Sequence, residues 1–162
     1  YYFLKSDPEG VAKNIIHEIK YNSNFKLMEI LGKTIKERLN NNFFFDYILP
    51  VPLNSKKEKI RGYNQSEVIA ESIFGKDKIV KNLVLRIENT KTQTGFGKLE
   101  RWENIKDAFV LNKDVLNKIG KDKVILIVDD VVTTGSTIES ILALMKTDYP
   151  DHSFSILTLM KA

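Results

Sequence analysis

Cysteine is absent from the 162 residues, which excludes a disulfide framework and a cysteine-based zinc site. Histidine is scarce, with two residues, and His17, inside an expected helix, is given no metal role. No apolar run approaches the ~18 residues that a bilayer-spanning helix needs, and no charged-then-apolar segment opens the sequence, so membrane insertion is not expected. The missing cysteines fit a cytoplasmic location. There is no repeat and no low-complexity tract. Charge of one sign is not in large excess either: 25 basic residues stand against 21 acidic ones, a net of +4. At this length the chain suits one domain, residues 1–162, able to bury roughly two thirds of its unfolded surface without a staple. The sequence opens on Tyr1 rather than Met, and what precedes it is not legible here.

What is there is concentrated in one stretch. Val124 to Val128 is an uncharged, mostly β-branched run that ends in Asp129 and Asp130, followed by Val131, Val132, Thr133, Thr134, Gly135, Ser136 and Thr137. The run reads as a strand buried on both faces, as in a parallel sheet covered by helices. Gly135 frees the turn, and Ser136 or Thr137 can cap a helix over residues 138–146. Unpaired N–H groups and a positive helix end then surround a small concavity suited to an anion, with the hydroxyls as further donors. The two carboxylates would repel that anion. They suit neutral hydroxyls, such as a ribose diol, or a divalent cation. An Asp-Asp pair alone is usually an ordinary solvated turn, so the weight rests on the whole pattern.

The rest of the chain alternates strand and helix signals. Tyr1 to Leu4 reads as an edge strand, and Ser6-Asp7-Pro8-Glu9 carries helix-start chemistry ahead of Val11, Ile15, Ile16 and Ile19 on one helical face. A second helix is expected over residues 25–39, ended by Asn40-Asn41-Asn42, and a buried strand over residues 43–49. Pro50-Val51-Pro52-Leu53 makes irregular backbone, with a cis bond open. The basic run with Lys56, Lys57, Lys59 and Arg61 against Glu58 reads as a loop feeding a helix with Val68, Ile69 and Ile73 inward. Residues 82–87 are a third strand, and the polar stretch 88–98 is long enough to be a functional loop or a surface connection. Residues 101–105 read as a helical turn, 108–111 as a short strand, 115–119 as one helical turn, and 153–159 as the strand that closes the sheet. The two basic segments, 53–62 and 86–101, account for the whole charge excess, so positive potential is expected where they meet. Ligands in open parallel sheets gather at the carboxyl ends of strands, which brings the basic segment to the edge that carries Asp129 and Asp130.

The pattern of four apolar residues, two acids, two apolar residues and Thr-Thr-Gly-Ser-Thr resembles the phosphoribosyl pyrophosphate (PRPP) signature of type I phosphoribosyltransferases. Outside it, Ile48 to Leu53, Arg61-Gly62-Tyr63-Asn64-Gln65, Asn89 to Gly95, and Arg101-Trp102-Glu103-Asn104 leading to Ala108-Phe109 resemble the ComF (ComFC) competence branch of that family, and the opening helix ending in Lys20-Tyr21 fits as well. The resemblance covers nearly the whole chain. It implies the type I phosphoribosyltransferase fold: α/β, a central mainly parallel sheet flanked by helices, with a small N-terminal hood. ComF proteins usually begin with a Cys-rich zinc ribbon, which these residues cannot form.

By position, the resemblance implies that Asp129 and Asp130 take the PRPP ribose, with Mg2+ held mainly through PRPP, and that Thr133, Thr134, Gly135, Ser136 and Thr137 take the 5′-phosphate. It assigns Pro52, Leu53, Lys56, Lys57 and Arg61 to a pyrophosphate loop and Lys91 and Gln93 to a loop that closes over the site. Asp130 and Arg101 are the catalytic candidates of a PRPP-dependent transferase, in which a nucleophile attacks the anomeric carbon and pyrophosphate leaves. No residue outside these loops reads a purine or pyrimidine, so the acceptor is not identified. Three functions stay open: a transferase on an unidentified acceptor, a PRPP sensor without turnover, and a factor of natural transformation that handles single-stranded DNA, with a competence helicase-type partner implied by the family. For DNA, Lys59, Tyr63, Lys98 and Trp102 combine charge with aromatic faces, while Trp102 and Phe96 read equally as hood or core residues.

Overall fold

A computed structural model describes residues 1–5, 9–39, 43–87 and 108–162. The apolar run after Lys123 forms β5 (Val124–Val132), with Ile125, Leu126, Ile127 and Val128 fully buried. Side chains alternate across a strand, so Leu126 and Val128 enter one core while Ile125 and Ile127 enter another on the opposite face. A strand buried on both sides requires helices on both sides, and the chain supplies them.

The central sheet has the order β1-β6-β5-β2, every pair parallel, built from β1 (Tyr2–Lys5), β2 (Tyr47–Pro50), β5 and β6 (Ser153–Lys161). On one face lie α1 (Val11–Tyr21), α2 (Phe25–Leu39) and α4 (Gln65–Phe74), which bury Ile16, Ile19, Met28, Ile35, Ile69 and Ile73. Helices α2 and α4 pack so closely at Gly32 that a Cβ there would sit 2.5 Å from the Ser72 carbonyl oxygen. On the other face lie α5 (Lys113–Ile119) and α6 (Ser136–Asp148), with Leu116, Ile119, Ile141 and Met145 buried. A separate antiparallel pair, β3 (Val84–Arg86) and β4 (Phe109–Leu111), adds Val84 and Phe109 to this second core. This is the expected α/β architecture with a parallel sheet between helices. Among the described residues no helix is long and apolar enough to cross a membrane.

Several boundaries differ from the sequence reading. Helix α1 starts at Val11 after Gly10, whose φ is +76°, and Val11 is exposed where Ala12 is buried. Ser6, Asp7 and Pro8 lie outside the described residues, as do Asn40 to Asn42. The strand expected from Phe43 starts only at Tyr47, because Phe43 and Phe45 join a ring cluster that includes Phe74, and the Asp46 carboxylate takes the Val124 N–H at 2.8 Å. Both prolyl bonds around Val51 are trans. The basic run 55–61 is not a loop but a short helix, α3 (Ser55–Arg61): Asn54 accepts the Lys56 N–H as its N-cap, and Gly62, at φ +81°, ends it. Strand β6 does not close the sheet at an edge. It lies between β5 and β1, and β1 takes the edge.

Candidate functional site

Strands β2 and β5 are parallel neighbours, with Pro50 beside Val128, so the segments that follow them leave the sheet at the same edge. One is Val51 to Arg61, including α3; the other is the hydroxyl-rich turn before α6. Strand β5 continues past the acids: Val131 and Val132 still pair with Met160 and Lys161, which fixes Asp129 and Asp130 on regular backbone rather than in a mobile turn.

Adjacent residues of a strand point to opposite faces, and the two carboxylates accordingly have different surroundings. Asp129 Oδ1 accepts the Ser66 hydroxyl at 3.3 Å and the Asp130 N–H at 2.9 Å. Burial pushes the Asp129 carboxyl up to about 6, the Asp130 charge adds to the rise, and the Asp130 N–H, the Ser66 hydroxyl and the Lys20 ammonium act against it. Asp130 Oδ2 is paired with Lys20 Nζ at 2.9 Å.

A cavity of about 190 Å³ opens beside this pair. Its walls include Pro52, Leu53, Lys57, Arg61, Asp129, Asp130 and Thr137 from the expected site, together with Lys20, Asn64, Gln65, Ser66 and Arg86. Asp129, Val131 and Thr137 also line a smaller depression of about 30 Å³, enclosed by Thr133, Thr134, Gly135 and Ser136. Described residues expected at the ribose, the phosphate and the pyrophosphate thus line two adjacent cavities that share Asp129, Val131 and Thr137. On its far side Pro52, Leu53, Asn64 and Arg86 also border a larger cleft of about 490 Å³ between α4 and β3.

The hydroxyl-rich turn is shaped as the sequence pattern requires, with one correction. Gly135 has φ +83° and precedes α6, a conformation that a Cβ would strain. Ser136 and Thr137 do not cap the helix with their side chains. Helix α6 begins at Ser136 itself, the Ser136 hydroxyl lies 3.0 Å from the Thr134 hydroxyl, and the Ser136 N–H donates to Thr134 Oγ1 at 3.4 Å. Ser136, Thr137 and Ile138 of the first turn line the depression.

On the basic side, Arg61 donates to Gln65 Oε1 at 2.7 Å and to the Tyr21 hydroxyl at 3.4 Å, with its guanidinium 4.9 Å from the centre of the Tyr21 ring. Asn64 donates to the Val51 carbonyl at 3.0 Å and caps α4 by accepting the Ser66 N–H at 3.0 Å, which ties the segment after β2 to the start of α4. Lys56 and Lys59 are exposed on α3 and do not line the cavity. Tyr63 is half-buried and borders the larger cleft, with its ring 5.3 Å from Phe25 and its hydroxyl donating to the Ile19 carbonyl. Lys91, Gln93, Lys98, Arg101 and Trp102 lie outside the described residues, and Phe96 with them.

Lys20, Asn64, Gln65, Ser66 and Arg86 line the cavity without a site role assigned from the sequence. Ser66 and Arg86 stand beside assigned motifs, so proximity was their only signal. For Lys20, reached from an N-terminal helix, spacing carries none.

Residues 81–162 match the phosphoribosyl transferase domain family. Competence protein F of Haemophilus influenzae is 38% identical over 101 residues, covering 61% of this chain and 43% of that protein. DNA utilization protein YhgH of Escherichia coli K12 is 29% identical over 139 residues, covering 81% of this chain and 59% of the relative. Competence protein ComFC of Bacillus subtilis is 28% identical over 91 residues, with 56% of this chain and 34% of that protein covered. The chain spans less than two thirds of the length of each of these relatives.

Proposed function

Because the chain belongs to the phosphoribosyl transferase domain family, in its ComF/ComFC competence branch, we propose that it binds PRPP with Mg2+ and serves DNA handling in natural transformation. The observation that carries the ligand is the adjacency of two cavities that share wall residues. Asp129 and Thr137 belong both to the depression of the hydroxyl turn and to the cavity bordered by Lys57, Arg61 and Arg86. A ligand spanning them needs an anionic end at a helix N-terminus, hydroxyls for two carboxylates, and a second anionic group for the bases. PRPP has these groups in that order.

The residues present fit a magnesium ion that arrives with its ligand. Among the described residues no three His, Cys, Asp or Glu side chains gather as a metal cage, and the adjacent Asp129 and Asp130 can complete a shell supplied mostly by phosphate oxygens and water. Bound there, the ion would supply charge stabilisation on the leaving pyrophosphate. In the transferase reading, the hydroxyl turn fixes the 5′-phosphate, the carboxylates fix the ribose, and Lys57, Arg61 and Arg86 face the charge that develops as the C1–O bond breaks. The acceptor is unassigned. A PRPP sensor without turnover uses the same contacts.

The DNA role rests on the names of the relatives, two of them competence proteins and one a DNA utilization protein. Helix α3 supports it: Lys57 and Lys59 are exposed, and Ile60 between Lys59 and Arg61 is 84% exposed. In this reading the protein acts in the cytoplasm on single-stranded DNA, alongside a helicase-type competence partner.

A turnover screen tests the reaction. PRPP, Mg2+ and a panel of nucleobases are incubated with the protein while pyrophosphate release is followed, with single-stranded DNA added in a parallel series. Base-dependent release establishes a transferase. PRPP binding without release assigns the sensor role. DNA that competes with PRPP in a salt-dependent manner places both on one surface, and DNA that does not bind at any salt concentration contradicts the DNA role.

A further inference from the structure

Three consecutive residues at the end of α1 each hold a different part of the site. The Ile19 carbonyl accepts the Tyr63 hydroxyl, Lys20 Nζ pairs with Asp130 Oδ2 at 2.9 Å, and the Tyr21 ring and hydroxyl receive Arg61. Arg61 ends the basic helix α3 and Tyr63 follows it, whereas Asp130 lies on β5. The last turn of α1 therefore bridges the two walls that a sugar pyrophosphate would occupy. Lys20 itself lines the cavity. Its side chain is only 22% exposed and that of Asp130 only 15%, so water screens the pair incompletely.

We propose that Lys20 is a positioning residue of the ligand site, which orients and neutralises Asp130 so that the carboxylate pair can accept the hydroxyls of an anionic sugar phosphate. The inference rests on the PRPP reading above. Its physical basis is the charge balance of the pocket. Two adjacent carboxylates repel a ligand that carries phosphate at one end and pyrophosphate at the other. The Lys20 ammonium cancels one of those charges and uses one oxygen of Asp130, leaving the other as an acceptor. The pairing also fixes the Asp130 side chain, so less freedom is lost when the diol arrives. Being carried on α1, Lys20 makes the site depend on how the N-terminal segment is docked.

The test is a double-mutant cycle on PRPP affinity, measured by calorimetry with Mg2+ present for the wild-type chain, Lys20→Met, Lys20→Arg, Asp130→Asn and the Lys20→Met/Asp130→Asn pair. Circular dichroism on each variant verifies that the chain is folded. Lys20→Met is expected to weaken PRPP about tenfold, the typical scale for removing one partner of a charge-assisted contact. Lys20→Arg should restore affinity to within about threefold, since it keeps the charge. In the Asp130→Asn background, Lys20→Met should cost nothing further, because the group it acts through is no longer charged. Unchanged or improved affinity in Lys20→Met overturns the proposal, as does an equal loss in both backgrounds. Should Lys20→Met not fold, Lys20→Arg and Lys20→Gln carry the test: a folded Lys20→Gln chain with wild-type affinity overturns it, and loss in Lys20→Gln with retention in Lys20→Arg supports it. A wild-type chain that binds no PRPP overturns the ligand reading itself, an outcome distinct from wild-type binding that is insensitive to Lys20.

Discussion

Ser66, the second residue of α4, donates its hydroxyl to Asp129 Oδ1 at 3.3 Å across 63 positions of sequence. The helix that follows the basic segment and the strand that carries the acids are thus joined at the candidate site. That bond and the Asp130 N–H compensate the Asp129 carboxylate only in part, because burial and the neighbouring Asp130 charge still raise its pKa from 3.8 to about 6. The site holds a charge at the expense of stability, as functional sites commonly do.

The consequence is a pH-dependent stability of definite sign. An aspartate whose folded pKa exceeds its unfolded value binds more protons in the folded state between the two, so stability falls as pH rises through that window. For Asp129 the window runs from 3.8 to about 6. Asp129→Asn is expected to be more stable than wild type at about pH 7.5 by roughly 1 to 3 kcal/mol, with the gap closing toward about pH 4. Urea melts of both proteins across this range measure it, and an Asp129→Asn chain less stable than wild type at neutral pH would contradict the assignment.

Arg61 is expected to distinguish the two ends of PRPP. It reaches the cavity from the end of α3 and is held by Gln65 and Tyr21, away from the hydroxyl turn. Arg61→Met is expected to weaken PRPP about tenfold or more while changing ribose 5-phosphate affinity by less than about twofold, since only the former carries pyrophosphate. Calorimetric titration of each ligand provides the comparison. Equal losses for both ligands would move Arg61 off the pyrophosphate side.

Much of this site was legible in the sequence because its parts are local. A buried strand, two acids, a Gly at positive φ and a helix start lie within residues 124–137, and periodicity with turn chemistry describes them. The basic segment was placed correctly at the same sheet edge but was misread as a loop. Its helix is set by the Asn54 cap and Gly62, and with no buried residue it has no apolar periodicity to display. The order of strands was only partly legible: β1 takes the edge read for it, but that β6 lies between β1 and β5 follows from lateral pairing between the two ends of the chain. Lys20-Tyr21 belongs to the family resemblance, but the pairing of Lys20 was hidden for the same reason, since its partner Asp130 is 110 residues away and neither position alone announces the other.

The central claim is that Asp129 and Asp130, with the turn after them, form a PRPP site. Calorimetric titration of PRPP with Mg2+ into the wild-type chain and into Asp129→Asn/Asp130→Asn tests it most directly, with circular dichroism confirming that both are folded. Saturable binding to the wild type is expected, reduced by about a hundredfold or more in the variant, because two charge-assisted acceptors of the diol are lost together. Wild-type binding that survives the double substitution unchanged would contradict the account.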